Sequence, residues 1–128
     1  MSKIRILVVD DEEIVRITLE AYLEDEGYTV ISATSGEEAL ERLAGQHADI
    51  GIIDMRLPGI DGNTLISKLN ILQPQMKFII HTGSMGYSLP DSLIGMGISS
   101  ELVFKKPIKS MEKFIEMIKK LTKEKSVE

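Results

Sequence analysis

Short apolar runs alternate along the chain with longer stretches in which apolar residues recur every three or four positions. Ile4–Val9 is an apolar run of the length of a buried strand. In "EEIVRITLEAYLEDEG", Val15, Leu19 and Tyr22, flanked by Ile14 and Ala21, form a wide stripe at helical spacing. Gly27 follows as a C-terminal stop. "YTVISA" reads as a second strand. Ser35 stands three residues before Glu38, a capping box, and Ala39, Leu40 and Leu43 carry that helix to Gly45. Asp49 to Asp54 is a third strand, closed by the turn-rich "LPGIDG". Leu65, Ile66, Leu69 and Leu72 then share one face of a helix that stops before Pro74. "KFIIHT" is a fourth strand. Residues 83–100 hold four glycines and one proline, so a helix there, over Leu89–Met96, should be short and weak. "LVFK" is a fifth strand. Ser110 can cap a last helix with Phe114, Ile115, Ile118 and Leu121 on its buried face, and the tail "KEKSVE" should fray.

Five strands alternating with five helices predict an α/β fold, a parallel sheet with helices on both faces. Strands buried on both faces should be continuous apolar runs, as "ILVV" and "FII" are. The length of 128 residues suits one domain with a single core, taken as residues 1–124 with a frayed tail at 125–128. Apolar residues make up 43% and charged residues 27%, a globular balance. With no cysteine, neither disulfides nor a thiolate zinc site can form. The first residues lack a signal-peptide pattern, and no apolar stretch approaches the roughly 20 residues of a membrane helix. A cytoplasmic location without membrane contact is the expectation.

The net charge of −5 argues against nucleic-acid binding by this chain alone. Charge is unevenly spread: eight acids against three basic residues over 1–26, and eight lysines against four acids from Lys105 onward. Two solvated helix faces account for this. A fold that set the first and last helices side by side would also make them complementary neighbours.

In sheets of this kind, ligands bind at the carboxyl ends of the strands. Strand one ends at Asp10 and Asp11, strand three at Asp54, strand four at Thr82, and strand five at Lys105 and Lys106 before Pro107. Each has a duller reading. Asp11 or Glu12 can cap the first helix, Asp54 can serve the turn before "LPG", Thr82 can be a satisfied hydroxyl and Lys106 a solvated amine. His47 and His81 read as structural. Together, however, the strand ends deliver carboxylates, a hydroxyl and an ammonium to one rim. Carboxylates held close resist ionising together, and a hard divalent cation such as Mg²⁺ removes that cost. A carboxylate nucleophile, a metal and an ammonium are what phosphoryl transfer requires.

With "VVDDEE", "IIDMRLPGIDG", "IIHTG" and "KKP" in place, the chain resembles the receiver domains of two-component response regulators from Ile4 to about Leu121. The resemblance implies a flavodoxin-like (βα)5 three-layer sandwich with strand order 2-1-3-4-5. It implies that Asp54 accepts phosphate from a histidine kinase or histidine phosphotransfer protein. Asp11 would be the direct Mg²⁺ ligand, Asp10 would support it through water, and the backbone carbonyl of Arg56 would complete the protein's share of the shell with Asp54. Thr82 would be the switch hydroxyl and Lys106 the lysine that pairs with the phosphoryl group, with a cis peptide bond before Pro107.

The family often carries Tyr or Phe three residues before that lysine, where this chain has Val103, followed by Phe104. The downstream partner would be another protein, with a homodimer through the fourth-helix to fifth-strand region as one arrangement. The domain would not be a turnover enzyme beyond its own phosphorylation and dephosphorylation. A pseudo-receiver, binding partners without phosphorylation, is the alternative. A phosphohydrolase is the weaker rival, because its nucleophilic strand ends in two aspartates separated by one residue, and here Met55 and Arg56 follow Asp54.

Overall fold

In the computed structural model, which describes residues 3–84 and 86–126, five parallel strands form one sheet in the order β2-β1-β3-β4-β5. The strands are β1 (Arg5–Val9), β2 (Thr29–Ala33), β3 (Ile50–Ile53), β4 (Lys77–Thr82) and β5 (Val103–Lys105). The helices are α1 (Glu13–Asp25), α2 (Gly36–Arg42), α3 (Gly62–Leu72), α4 (Asp91–Ile94) and α5 (Met111–Ser126). This is the expected flavodoxin-like (βα)5 architecture. The expected domain boundary at 124 falls inside α5, and residues 127–128 of the expected tail lie outside the described residues. No helix among the described residues is long and apolar enough to cross a membrane.

The three inner strands are apolar because they are covered on both faces. Ile6, Leu7, Ile50, Ile53, Ile79 and Ile80 are fully buried, as are Leu23, Leu65, Leu69, Phe114 and Ile118 from the helices above and below. Helix boundaries follow local chemistry. Ser35 Oγ accepts the Glu38 N–H at 3.1 Å, and Glu38 reaches back to the Thr34 N–H, so the capping box closes one residue earlier than its usual partner. Asp61 Oδ1 caps α3 at the Thr64 N–H, and Ser110 Oγ accepts the Lys113 N–H. The chain leaves α1 through Gly27 at φ 99°, a left-handed conformation that glycine adopts without strain.

Three details have identifiable causes. Leu72 is 65% exposed: it is the last residue of α3, at the rim of an open groove between α2 and α3. The fourth helix is short, as expected: within Leu89–Met96 it keeps the single turn Asp91–Ile94, since Pro90 precedes it and Gly95 and Gly97 follow, the latter at φ 94°. No ion pair joins α1 to α5 among the described residues. Where the two helices approach, Val15 and Leu19 line a groove with Ile108 and Met111, so the neighbouring surfaces are apolar, and Lys120 pairs instead with Glu101 at 3.6 Å.

Candidate functional site

Strand register assembles the site. Val9 of β1 lies level with Ile53 of β3, so Asp10 and Asp54 leave adjacent strands side by side, about 4.8 Å apart in the sheet. Ile53 is level with Ile80, and Thr82 with Lys105. Thr82 and Lys106 therefore reach beyond the level of Asp54. Lys106 N–H donates to the Thr82 carbonyl at 2.9 Å, and the Lys106–Pro107 peptide is cis, as expected.

One ammonium gathers three carboxylates. Lys106 Nζ lies 2.8 Å from Glu12 Oε1, 3.0 Å from Asp10 Oδ2 and 3.3 Å from Asp54 Oδ2. The contacts to Glu12 and Asp54 are hydrogen bonds. Asp10 Oδ2 is buried, and the Lys106 ammonium is its ion-pair partner. Asp10 and Asp54 are 1% and 3% exposed, whereas Asp11 is exposed. Asp10 Oδ1 accepts the Glu12 N–H at 2.9 Å, and Arg16 Nη1 donates to the Asp10 carbonyl at 3.0 Å, which holds the acidic turn. Thus neither Asp11 nor Glu12 caps α1 with its side chain; Glu12 stands at the cap position with its carboxylate turned to Lys106.

Burial raises the Asp54 carboxyl above the usual carboxylate range. The Asp10 charge adds to this, and the Arg56 N–H, donated to Asp54 Oδ1 at 3.2 Å, and the Lys106 ammonium oppose it. Burial alone would lower Lys106, but its contacts with Glu12, Asp10 and Asp54 outweigh that and hold it above the ordinary lysine value. Lys106 in turn keeps Glu12 below the carboxylate range. Thr82 is fully buried at the end of β4, with its hydroxyl accepting the Ser84 N–H at 3.1 Å.

The structure thus brings Asp10, Asp11, Asp54 and Lys106 together and delivers Thr82 to the same edge. Arg56 contributes its N–H, while its side chain points to an exposed position. Sequence reasoning missed Glu12 as a site residue. It read Asp11 or Glu12 as a cap for the first helix, although the place of Glu12 directly after the pair was the available signal. His81 is a buried ring beside this cluster with neither nitrogen hydrogen-bonded. Burial, then the Lys106 charge, push it down to about 4, against the pull of Glu12, so it is neutral at pH 7.

Carboxylate oxygens of Asp10, Asp11 and Asp54 all lie within 4.8 Å of one another. These are hard oxygen donors, and Asp10 Oδ2 among the three carboxylates is buried with only the Lys106 ammonium against it. The set fits a hard divalent cation of the Mg²⁺ type, which takes few carboxylates and keeps its waters.

Similarity to known proteins agrees with this geometry. Residues 6–119 match the family model described as the response regulator receiver domain. The chain is 35% identical over 113 residues to the transcriptional regulatory protein AruR of Pseudomonas aeruginosa, covering 84% of this chain and 45% of AruR. The chain therefore spans about half the length of that relative. A CheY-like receiver domain protein from Methanospirillum hungatei superimposes with a TM-score of 0.82 at 29% identity, over 97% of this chain and 98% of that one. The response regulator TrrA of Thermotoga maritima, solved in complex with Mg(2+)-BeF, superimposes with a TM-score of 0.71 at 32% identity, over 92% of this chain and 98% of that one. A family match over nearly the whole chain, on a sheet whose strand ends converge on one acid-rich rim, makes this protein a member of the response regulator receiver domain family.

Proposed function

We propose that this domain accepts a phosphoryl group on Asp54 from a phosphohistidine of a histidine kinase or phosphotransfer protein, and passes the signal through a protein-interaction surface. The observation that carries the reading is the convergence of Asp10, Asp11 and Asp54 with the Lys106 ammonium at one sheet edge. An oxygen of the Asp54 carboxylate attacks phosphorus, the bond from phosphorus to the donor nitrogen breaks, and the electron pair leaves with the imidazole. Burial of Asp54 strips water from its oxygens and keeps them basic. The Arg56 N–H and Lys106 hold the carboxylate in one orientation. Lys106 is placed to balance charge on the transferred group. Asp10, Asp11, Asp54 and the Arg56 carbonyl would hold Mg²⁺, which supplies further neutralisation of the phosphoryl oxygens.

The domain modifies only itself and then switches. Thr82 ends β4 and leads into residues 83–90, so a donor reaching from its hydroxyl to the phosphoryl group would pull on that loop. Acetyl phosphate with Mg²⁺ tests the reading. Intact mass should rise by one phosphoryl group, the adduct should be cleaved by hydroxylamine, and Asp54→Asn should carry none. No adduct on the wild type would favour the pseudo-receiver alternative, and steady hydrolysis of unrelated phosphate esters would favour a phosphatase.

A further inference from the structure

We infer that Glu12 is a displaceable cap on Lys106, occupying in the resting state the place that a phosphoryl oxygen takes in the phosphorylated one. The inference rests on the phosphoacceptor reading and names a positioning residue within it.

An ammonium has three N–H bonds, and Lys106 Nζ is surrounded by three carboxylates at 2.8, 3.0 and 3.3 Å. The shortest contact is to Glu12. The lysine side chain is only 14% exposed, so water has little room to replace any of them. A phosphoryl group on Asp54 brings several anionic oxygens to this ammonium where the carboxylate offered one, so a partner besides Asp54 must yield for a second of them to be bound. Asp54 gives up its own contact when its charge passes to the phosphoryl group, whereas Asp10 cannot yield cheaply, because it is buried and a carboxylate left there without a counter-charge is costly. Glu12 can: its side chain is 60% exposed and rehydrates when it lets go. Among the described residues its side chain makes no other hydrogen bond or ion pair. It makes no capping hydrogen bond to α1, although it sits at the cap position.

The cap has a direction. The pair stabilises the free lysine and gives nothing once the phosphoryl oxygen is in place, so it opposes phosphoryl occupancy. Removing it should favour the occupied state by about the worth of an ion pair with one exposed member, roughly two- to fivefold in affinity.

Beryllofluoride, titrated calorimetrically at saturating Mg²⁺, reads this directly. Glu12→Gln removes the charge and Glu12→Asp keeps it but shortens the reach by one methylene. Both should bind beryllofluoride about two- to fivefold more tightly than wild type. Tightening by Glu12→Gln alone would mean that general repulsion of an anion, not a contact with Lys106, is at work, and would overturn the inference. Unchanged or weaker binding by both would overturn it equally. Failure of the wild type itself to bind beryllofluoride would bring down the phosphoacceptor reading and this inference with it.

Discussion

Asp54→Asn should make the metal-free domain more stable, not less. The asparagine keeps the shape and an acceptor for the Arg56 N–H. It removes a charge from a crowded place. At an effective dielectric of 20, a carboxylate up to 4.8 Å away, as Asp10 is, repels Asp54 by about 3.5 kcal/mol, and Lys106 at 3.3 Å attracts it by about 5 kcal/mol. These largely cancel. What remains is the cost of taking the carboxylate out of water, about 1–3 kcal/mol and more for a charge. The raised pKa of Asp54 shows that this cost prevails. The net gain from the substitution is about 1 kcal/mol, or roughly 4 °C in midpoint for a domain of this size. The pH dependence has a fixed sign. A carboxyl whose folded pKa exceeds its unfolded value of 3.8 contributes stability below that value and loses it as pH rises through the folded pKa. The gap between variant and wild type should therefore be closed below pH 3.8 and open towards neutrality. Urea unfolding in chelator from pH 3 to 8 measures it. A variant less stable than wild type at pH 7, or a gap independent of pH, would refute the reasoning.

Asp11→Ala should remove most Mg²⁺ affinity, read by amide chemical shifts of residues 10–12 and 54–56, because the exposed Asp11 is the carboxylate nearest to solvent in the cup. Lys106→Met should cost about 3 kcal/mol in chelator, since it leaves Asp10 and Asp54 buried without a counter-charge, and Mg²⁺ should return much of that in a thermal melt. Hydrogen exchange with and without beryllofluoride should change most between residues 83 and 104, and Thr82→Ala should shrink the change; a response confined to α1 and α2 would count against this route.

Much of this was legible from local chemistry. "ILVV", "GII" and "FIIH" are apolar enough to be inner strands, and a parallel sheet aligns the residues that end them, so Asp10, Asp54 and Thr82 could be placed on one edge before any coordinates. Ser35 and Ser110 act through neighbours three residues away, a range that sequence reports well, and Asp61, in the turn-rich loop, does the same for α3. The contact between Glu12 and Lys106 spans 94 positions, and no local pattern encodes it. Leu72 keeps helical phase with Leu65 and Leu69 yet lies at a helix end that the core does not reach. The α1 and α5 charges suggested pairing, but apolar side chains occupy the approach between those helices. Val103 marks a similar limit: the missing ring is plain in the sequence, but the open groove of about 750 Å³ that Val103 lines with Tyr87, Ile94 and Ile98 is not.

The strand register also orders events during synthesis. β1 lies inside the sheet, between β2 and β3, so the first strand made can be covered by the next two. Its aspartates then wait. Lys106, their counter-charge, is translated more than ninety residues later and docks only when β5 adds to the sheet's far edge. A nascent chain lacking β5 holds the carboxylates without the ammonium that balances them, a repulsive arrangement that resists premature closure. Under the proposed reading, phosphoryl acceptance would thereby be tied to completion of the fold, since a chain lacking β5 would carry Asp54 without the ammonium placed to balance the transferred group.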